Sequence, residues 1–223
     1  MGVKKQNCEV LRHEASVEIR QGAGTFTYFK DLTGNHYKAL VDVFIETTDL
    51  SEFTGAQLIV APRMGDNFIV NIPPNSSGDG TAAIQIEDAR SVSLIYTGSK
   101  QIVGTMNIIK DFCICCPNCG EIRSHEGTFN FSRNFSFTDI TANHYKAMVV
   151  VKLDVAPTDS STGQIIVTPP PAGMDSMTDI PPGGQVAIQI EDADELTVAS
   201  TTAASPTSPS SIHIIKDYCI YCP

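Results

Sequence analysis

The chain contains no tryptophan, and its 15 lysines and arginines are outnumbered by 25 aspartates and glutamates. A formal net charge of −10 without a basic cluster argues against nucleic acid or an anionic membrane as a partner. The missing tryptophan counts against a carbohydrate-binding platform. No run approaches the roughly 18 apolar residues that read as a membrane span. The opening "MGVKKQNCEVLRHE" lacks the apolar stretch of a secretory signal, and Gln6 stands where a myristoylation motif needs Ser or Thr. The expectation is a soluble chain made in the cytoplasm. No G-x-S-x-G, P-loop, H-E-x-x-H or calcium loop is present, so the sequence points to no enzyme, catalytic residue or cofactor. Cysteine is missing from two long stretches, between Cys8 and Cys113 and between Cys119 and Cys219.

What is present is a repeat. "NHYKA" at Asn35–Ala39 returns at Asn143–Ala147, and "IPP" at Ile72–Pro74 returns at Ile180–Pro182. "AIQIEDA" at Ala83–Ala89 returns at Ala187–Ala193, and "IIKDFCI" at Ile108–Ile114 returns as "IIKDYCI" at Ile214–Ile220. Order is kept at offsets of 104 to 108 residues, the signature of a duplicated unit. "NCEVLRHE" from Asn7 matches "NCGEIRSHE" from Asn118 with one inserted residue. The boundary falls between Pro117 and Asn118, giving modules 1–117 and 118–223 with almost no linker.

Within each module the hydrophobic period is two. Tyr37, Ala39, Val41, Val43 and Ile45 share one face, and Tyr145, Ala147, Val149, Val151 and Leu153 repeat it. Lys38, Asp42 and Glu46 take the other face, with Leu40 and Phe44 among them. Ile84 and Ile86 face inward while Gln85 and Glu87 face out. Such alternation predicts half-buried β-strands. Further strand-like runs are "QLIVAP", "NFIVNI", "SVSLIYT", "QIIVTP" and "ELTVAST", with Gly, Pro, Asn and Ser between them. About eight short strands per hundred residues predict an all-β protein of two tandem β-sandwich or jelly-roll modules. The stretch Ala199–Ser211 reads as an exposed hairpin loop. The acidic pairs Glu87/Asp88 and Glu191/Asp192 read as solvated turn residues, and His36 and His144 as structural histidines.

The seven cysteines follow the repeat. Cys8 matches Cys119 at the module entrances. Cys113 matches Cys219, and Cys116 matches Cys222, at the exits. Cys115 is matched by Tyr221. On one strand Cys113 and Cys116 would stand roughly 10 Å apart and point to opposite faces, beyond the about 4.4–6.8 Å that a disulfide spans. Each exit thiol therefore needs a partner elsewhere. At the module junction Cys113, Cys116 and Cys119 lie together. Cys8 at one end, and Cys219 with Cys222 at the other, are the unmatched ends. Joining Cys8 of one chain to Cys219 or Cys222 of the next would be a head-to-tail contact, which yields fibres or rings. Seven is odd, which leaves Cys115 as the expected spare thiol. Zinc held by Cys116, Cys119, Cys219 and Cys222 is an alternative, belonging to a β-sandwich binding or adhesin module. Incidental reduced thiols are another, and a redox C-x-x-C lacks its βαβ setting.

A jelly-roll module of about a hundred residues, with a cysteine near its N-terminus and cysteines in its last strand, resembles the subunits of bacterial endospore appendage fibres. The resemblance implies a homopolymer that is its own partner, locked by disulfides and released to the spore surface or outside the cell. Cys8 would be the thiol of an N-terminal connector, and Cys219 and Cys222 those of the last strand. The chain departs from that family in carrying two modules, a lone Cys8, and its adjacent pair Cys115–Cys116 at mid-chain.

Overall fold

The structure is a computed structural model. It describes residues 7–34, 37–47, 53–75, 78–116, 120–132, 134–141, 143–154, 163–168, 176–181, 183–200 and 210–220. All regular structure among them is strand. The first half holds β1 (Asn7–Gln21), β2 (Gly24–Asp31), β3 (Tyr37–Thr47), β4 (Ala56–Pro62), β5 (Phe68–Ile72), β6 (Gly80–Glu87), β7 (Ala89–Tyr96) and β8 (Ile102–Cys116). The second holds β9 (Glu121–Phe131), β10 (Asn134–Thr138), β11 (Tyr145–Lys152), β12 (Gly163–Thr168), β13 (Ser176–Ile180), β14 (Gln185–Glu191), β15 (Glu195–Ser200) and β16 (Ser210–Ile220).

The halves share one topology. Sheet order β1-β8-β3-β6 in the first half is matched by β9-β16-β11-β14 in the second, and β5-β4-β7-β2 is matched by β13-β12-β15-β10. Register is matched too. Val41 faces Ile108 as Val149 faces Ile214, and Ala39 faces Ile86 as Ala147 faces Ile190. Repeated sequence dictates this, because a one-residue slip would turn every core side chain outward. Tyr37, Ala39, Val41, Val43 and Ile45 are buried in one core, and Tyr145, Ala147, Val149, Val151 and Leu153 in another. Asp88 and Asp192 occupy equivalent turns at φ 50° and 47°, a left-handed conformation that aspartate tolerates better than most residues. They hold the starts of β3 and β11: Tyr37 N–H donates to Asp88 at 2.8 Å and Tyr145 N–H to Asp192 at 2.6 Å.

The halves are not separate beads. β14 pairs in parallel with β2, Ala187 opposite Phe29 and Gln189 opposite Asp31, so the order β5-β4-β7-β2-β14-β11-β16-β9 forms one eight-stranded sheet. The expected connector around Cys8 is instead part of β1, laddered to β8 over fifteen residue pairs. Residues 201–209 of the expected hairpin loop lie outside the described residues.

Candidate functional site: the thiols and the junction

Each half sets a lysine of its repeated IIKD phrase among equivalent partners, Lys110 fully buried and Lys216 partly buried. Lys110 Nζ lies 2.7 Å from Asp31 Oδ2 and 4.0 Å from the centre of the Tyr37 ring. Thr33 donates to the same aspartate through both its backbone N–H and its hydroxyl. In the second half Lys216 meets Asp139, lies 4.2 Å from the Tyr145 ring centre, and Thr141 repeats both bonds. Burial pushes Lys110 down to about 8, with Asp31 acting against that fall. These groups brace the sandwich from within each half.

The junction is a second polar cluster. His13 on β1 reaches Asp217 at 2.7 Å and Gln189 at 3.1 Å, both from the second half. Lys146 Nζ donates to the carbonyl of Cys113 at 2.6 Å, and burial lowers its pKa. Lys152 pairs with Glu18 at 2.9 Å. Apolar contacts surround these bonds. Met148 and Ala187 of the second half belong to the first core, and Leu32 of the first half packs on the second.

Comparing equivalent positions shows what the junction covers. Met148 is 0% exposed, whereas its counterpart Leu40 is 45% exposed. Ile114 is 0% exposed and its counterpart Ile220 is 38% exposed. Leu32 is partly buried, while its counterpart Ile140 is 93% exposed. Each half therefore carries both sides of one interface, and the chain uses one side of each.

The thiols sit at the same place. Cys8 is disulfide-bonded to Cys115, directly opposite it on the β1–β8 ladder. Cys116 is bonded to Cys219, joining the two halves. Ile114, Cys116 and Cys219 form a small apolar cluster around that bond. The Cys113 sulfur lies 3.8 Å from that of Cys115. Cys119 and Cys222 lie outside the described residues.

Within the single chain this pairing differs from the expected one. Cys115, expected as the spare thiol, has a partner because an antiparallel ladder brings the entrance of the first half against its own exit. Cys8 and Cys219, expected to be exposed ends awaiting another chain, are bonded inside this one. Cys113 and Cys116 do point to opposite faces, as strand geometry requires. Of the four proposed zinc ligands, Cys116 and Cys219 are bonded to each other. Among the described residues the sulfurs that cluster within 4.8 Å are those of Cys8, Cys113 and Cys115, a set that when reduced would suit a soft, thiolate-seeking ion. His144, Glu191 and Asp192 also cluster within that distance. Lys146, 3.7 Å from Glu191, already supplies positive charge there.

No family model and no curated protein matches the chain. Among solved structures, one described as Bacillus endospore appendages forming a family of disulfide-linked pili is similar over 48% of this chain and 89% of that one, at 9% identity and TM-score 0.37. The Macrobrachium rosenbergii nodavirus is similar over 97% and 98%, at 12% identity and TM-score 0.28. An archaeal virus protein with a triple jelly-roll fold is similar over 92% and 58%, at 12% identity and TM-score 0.25.

Proposed function

We propose that this chain is the structural subunit of a disulfide-cross-linked fibre that grows head to tail. The observation that carries the reading is the internal junction. It is heterologous: β14 of one half meets β2 of the other. Their counterparts, β6 and β10, are left at sheet edges. An isolated Pro74–Gly80 bridge lies at the start of β6. Edges β1, β9, β5 and β13 end their sheets in both halves alike. Among the described strands, β6 and β10 are the ones that end a sheet where the equivalent strand of the other half is paired.

Repeating the internal junction between molecules sets β6 of one copy beside β10 of the next. The same operation covers Leu40, Ile140 and Ile220. Burying an aliphatic side chain of this size contributes about 1.5–3 kcal/mol. A heterologous contact of this kind propagates unless the rotation closes a ring. Open edges otherwise invite uncontrolled pairing; here they come as a complementary pair. A polymer locked by disulfides belongs in an oxidising setting, outside the cell or on a spore surface.

The test is sedimentation of the purified chain across a concentration series. The expected result is open-ended growth in the parent. Ile140→Asp and Leu40→Glu should each remain folded monomers and raise the concentration needed for growth at least ten-fold. Concentration-independent monomer in the parent would favour the β-sandwich binding-module reading instead.

A further inference from the structure

We infer that the apolar groove between β5 and β6 is a socket for Ile140 of the next copy of this chain. The inference rests on the head-to-tail reading and names the side chain and the cavity that key the joint. The groove holds about 420 Å³ and is lined by Val60, Phe68, Val70, Ile84 and Ile86, with Gln85 among them. Phe68 is 63% exposed.

Within the chain the equivalent place is already filled. Leu32 of the first half packs on the second core, which includes Val167, Ile188 and Ile190. These are the sequence counterparts of Val60, Ile84 and Ile86. A backbone bond fixes Leu32 there, its N–H donating to the Gln189 carbonyl at 2.9 Å. Lys30 Nζ reaches the Met177 carbonyl at 2.7 Å, so the same segment also meets β13. The counterpart of Leu32 is Ile140, and that of Gln189 is Gln85. Repeating the junction between molecules therefore brings the Ile140 N–H to the Gln85 carbonyl and the Ile140 side chain to the groove. Ile140 is 93% exposed in the single chain.

Composition supports the socket independently of the repeat operation. Where the site is covered within the chain, β13 presents Ser176 and Thr178. Where it is open, β5 presents Phe68 and Val70 at the same positions. The ladders fix this match: Ser176 and Thr178 face Val167 and Ile165, as Phe68 and Val70 face Val60 and Leu58. Lys30 of the internal crossing is likewise replaced by Thr138. Exposure alone would favour the opposite order, with the polar residues on the open copy. An open copy more apolar than its covered equivalent marks a surface that is covered in use. Isoleucine is also stiff at its first side-chain torsion, so it loses little freedom on docking.

The experiment places a benzophenone-bearing phenylalanine at position 140 of the full chain. That chain is mixed with isotope-labelled parent, brought to a concentration at which the parent grows, and irradiated. Mass spectrometry maps the cross-links. They are expected to join position 140 of one copy to residues 68–70 or 84–87 of another. Beside it, Phe68→Ser and Met64→Ser are sedimented across a concentration series. Both side chains are exposed, so both variants should fold. Phe68→Ser, which carries the residue of the covered copy, should raise the concentration needed for growth at least ten-fold. Met64→Ser, outside the groove, should leave it unchanged. Filaments whose cross-links fall elsewhere, or a Phe68→Ser chain that grows like the parent, would overturn the socket and spare the head-to-tail reading. No growth of the parent at any concentration would overturn both.

Discussion

At the residue scale the buried lysines set the stakes. Lys110 and Asp31 are both fully buried and 2.7 Å apart. Arg63 also lies 3.2 Å from Asp31. Removing one member of such a pair leaves an uncompensated charge, which costs about 3–5 kcal/mol. Asp31→Asn is expected to lower unfolding free energy by that amount in chemical denaturation. His144 gives a pH dependence. Its hydrogen bond to Asp192, 2.7 Å long, raises its pKa above 6.5 despite the opposing effect of burial. A raised pKa means the folded state binds the proton more tightly than the unfolded state. The contribution is therefore fully present below pH 6.5 and is lost as pH rises through the folded value. His144→Ala should cost more stability at pH 5.5 than at pH 8.5, by less than the full linkage energy because the ring is partly exposed. An equal cost at both values would contradict the assignment.

At the element scale, the strands show where the sequence was legible. Period-two alternation located β3, β6 and β11, and turn residues bounded β4, β5, β7, β12 and β15. β1 was missed because its outward face, including Val10, Arg12, Glu14 and Glu18, makes it read as a polar lead-in around Cys8. Only the ladder to β8 shows it to be a strand. The parallel β2–β14 seam was likewise not legible, since pairing between distant edges leaves no local period. It had a trace. Leu40 and Phe44 stood out on an otherwise polar face, and the matching position Met148 is buried at the seam. The cysteine pairing was half legible: opposite faces ruled out Cys113–Cys116, but the partner of Cys8 depended on β1 being a strand. Two consequences are testable. A methyl group at Gly104 would collide with the carbonyl of Phe44 on the neighbouring strand, so Gly104→Ala should cost about 1–3 kcal/mol. The Cys116–Cys219 bond closes a loop of 103 residues. Cys219→Ser should lower the denaturation midpoint, with a loss of about 2–4 kcal/mol. An unchanged midpoint would show that the seam holds without it.

At the scale of the whole molecule, duplication explains the asymmetry. A single unit would carry one β2-type edge and one β14-type edge, both open. Fusing two units satisfies one of each and leaves β6 and β10 at the edges of their sheets. On the proposed reading the chain is a preformed dimer of a repeating contact, with the Cys116–Cys219 disulfide joining its two halves. Net charge of −10 opposes association, and screening it should help. Growth is therefore expected to accelerate on raising salt from 20 to 200 mM, as followed by light scattering; slower growth would point to a joint held by charge pairs rather than by edges and apolar contacts.

The measurement that tests the central claim most directly is electron cryomicroscopy of the assembled, oxidised chain at side-chain resolution. The internal register transfers by the repeat, so Ala83 of one copy should lie opposite Phe137 of the next and Gln85 opposite Asp139, in a parallel pair. A particle built about a two-fold axis, or a filament joined through β1, β5, β9 or β13 with β6 and β10 still at free edges, would contradict the account.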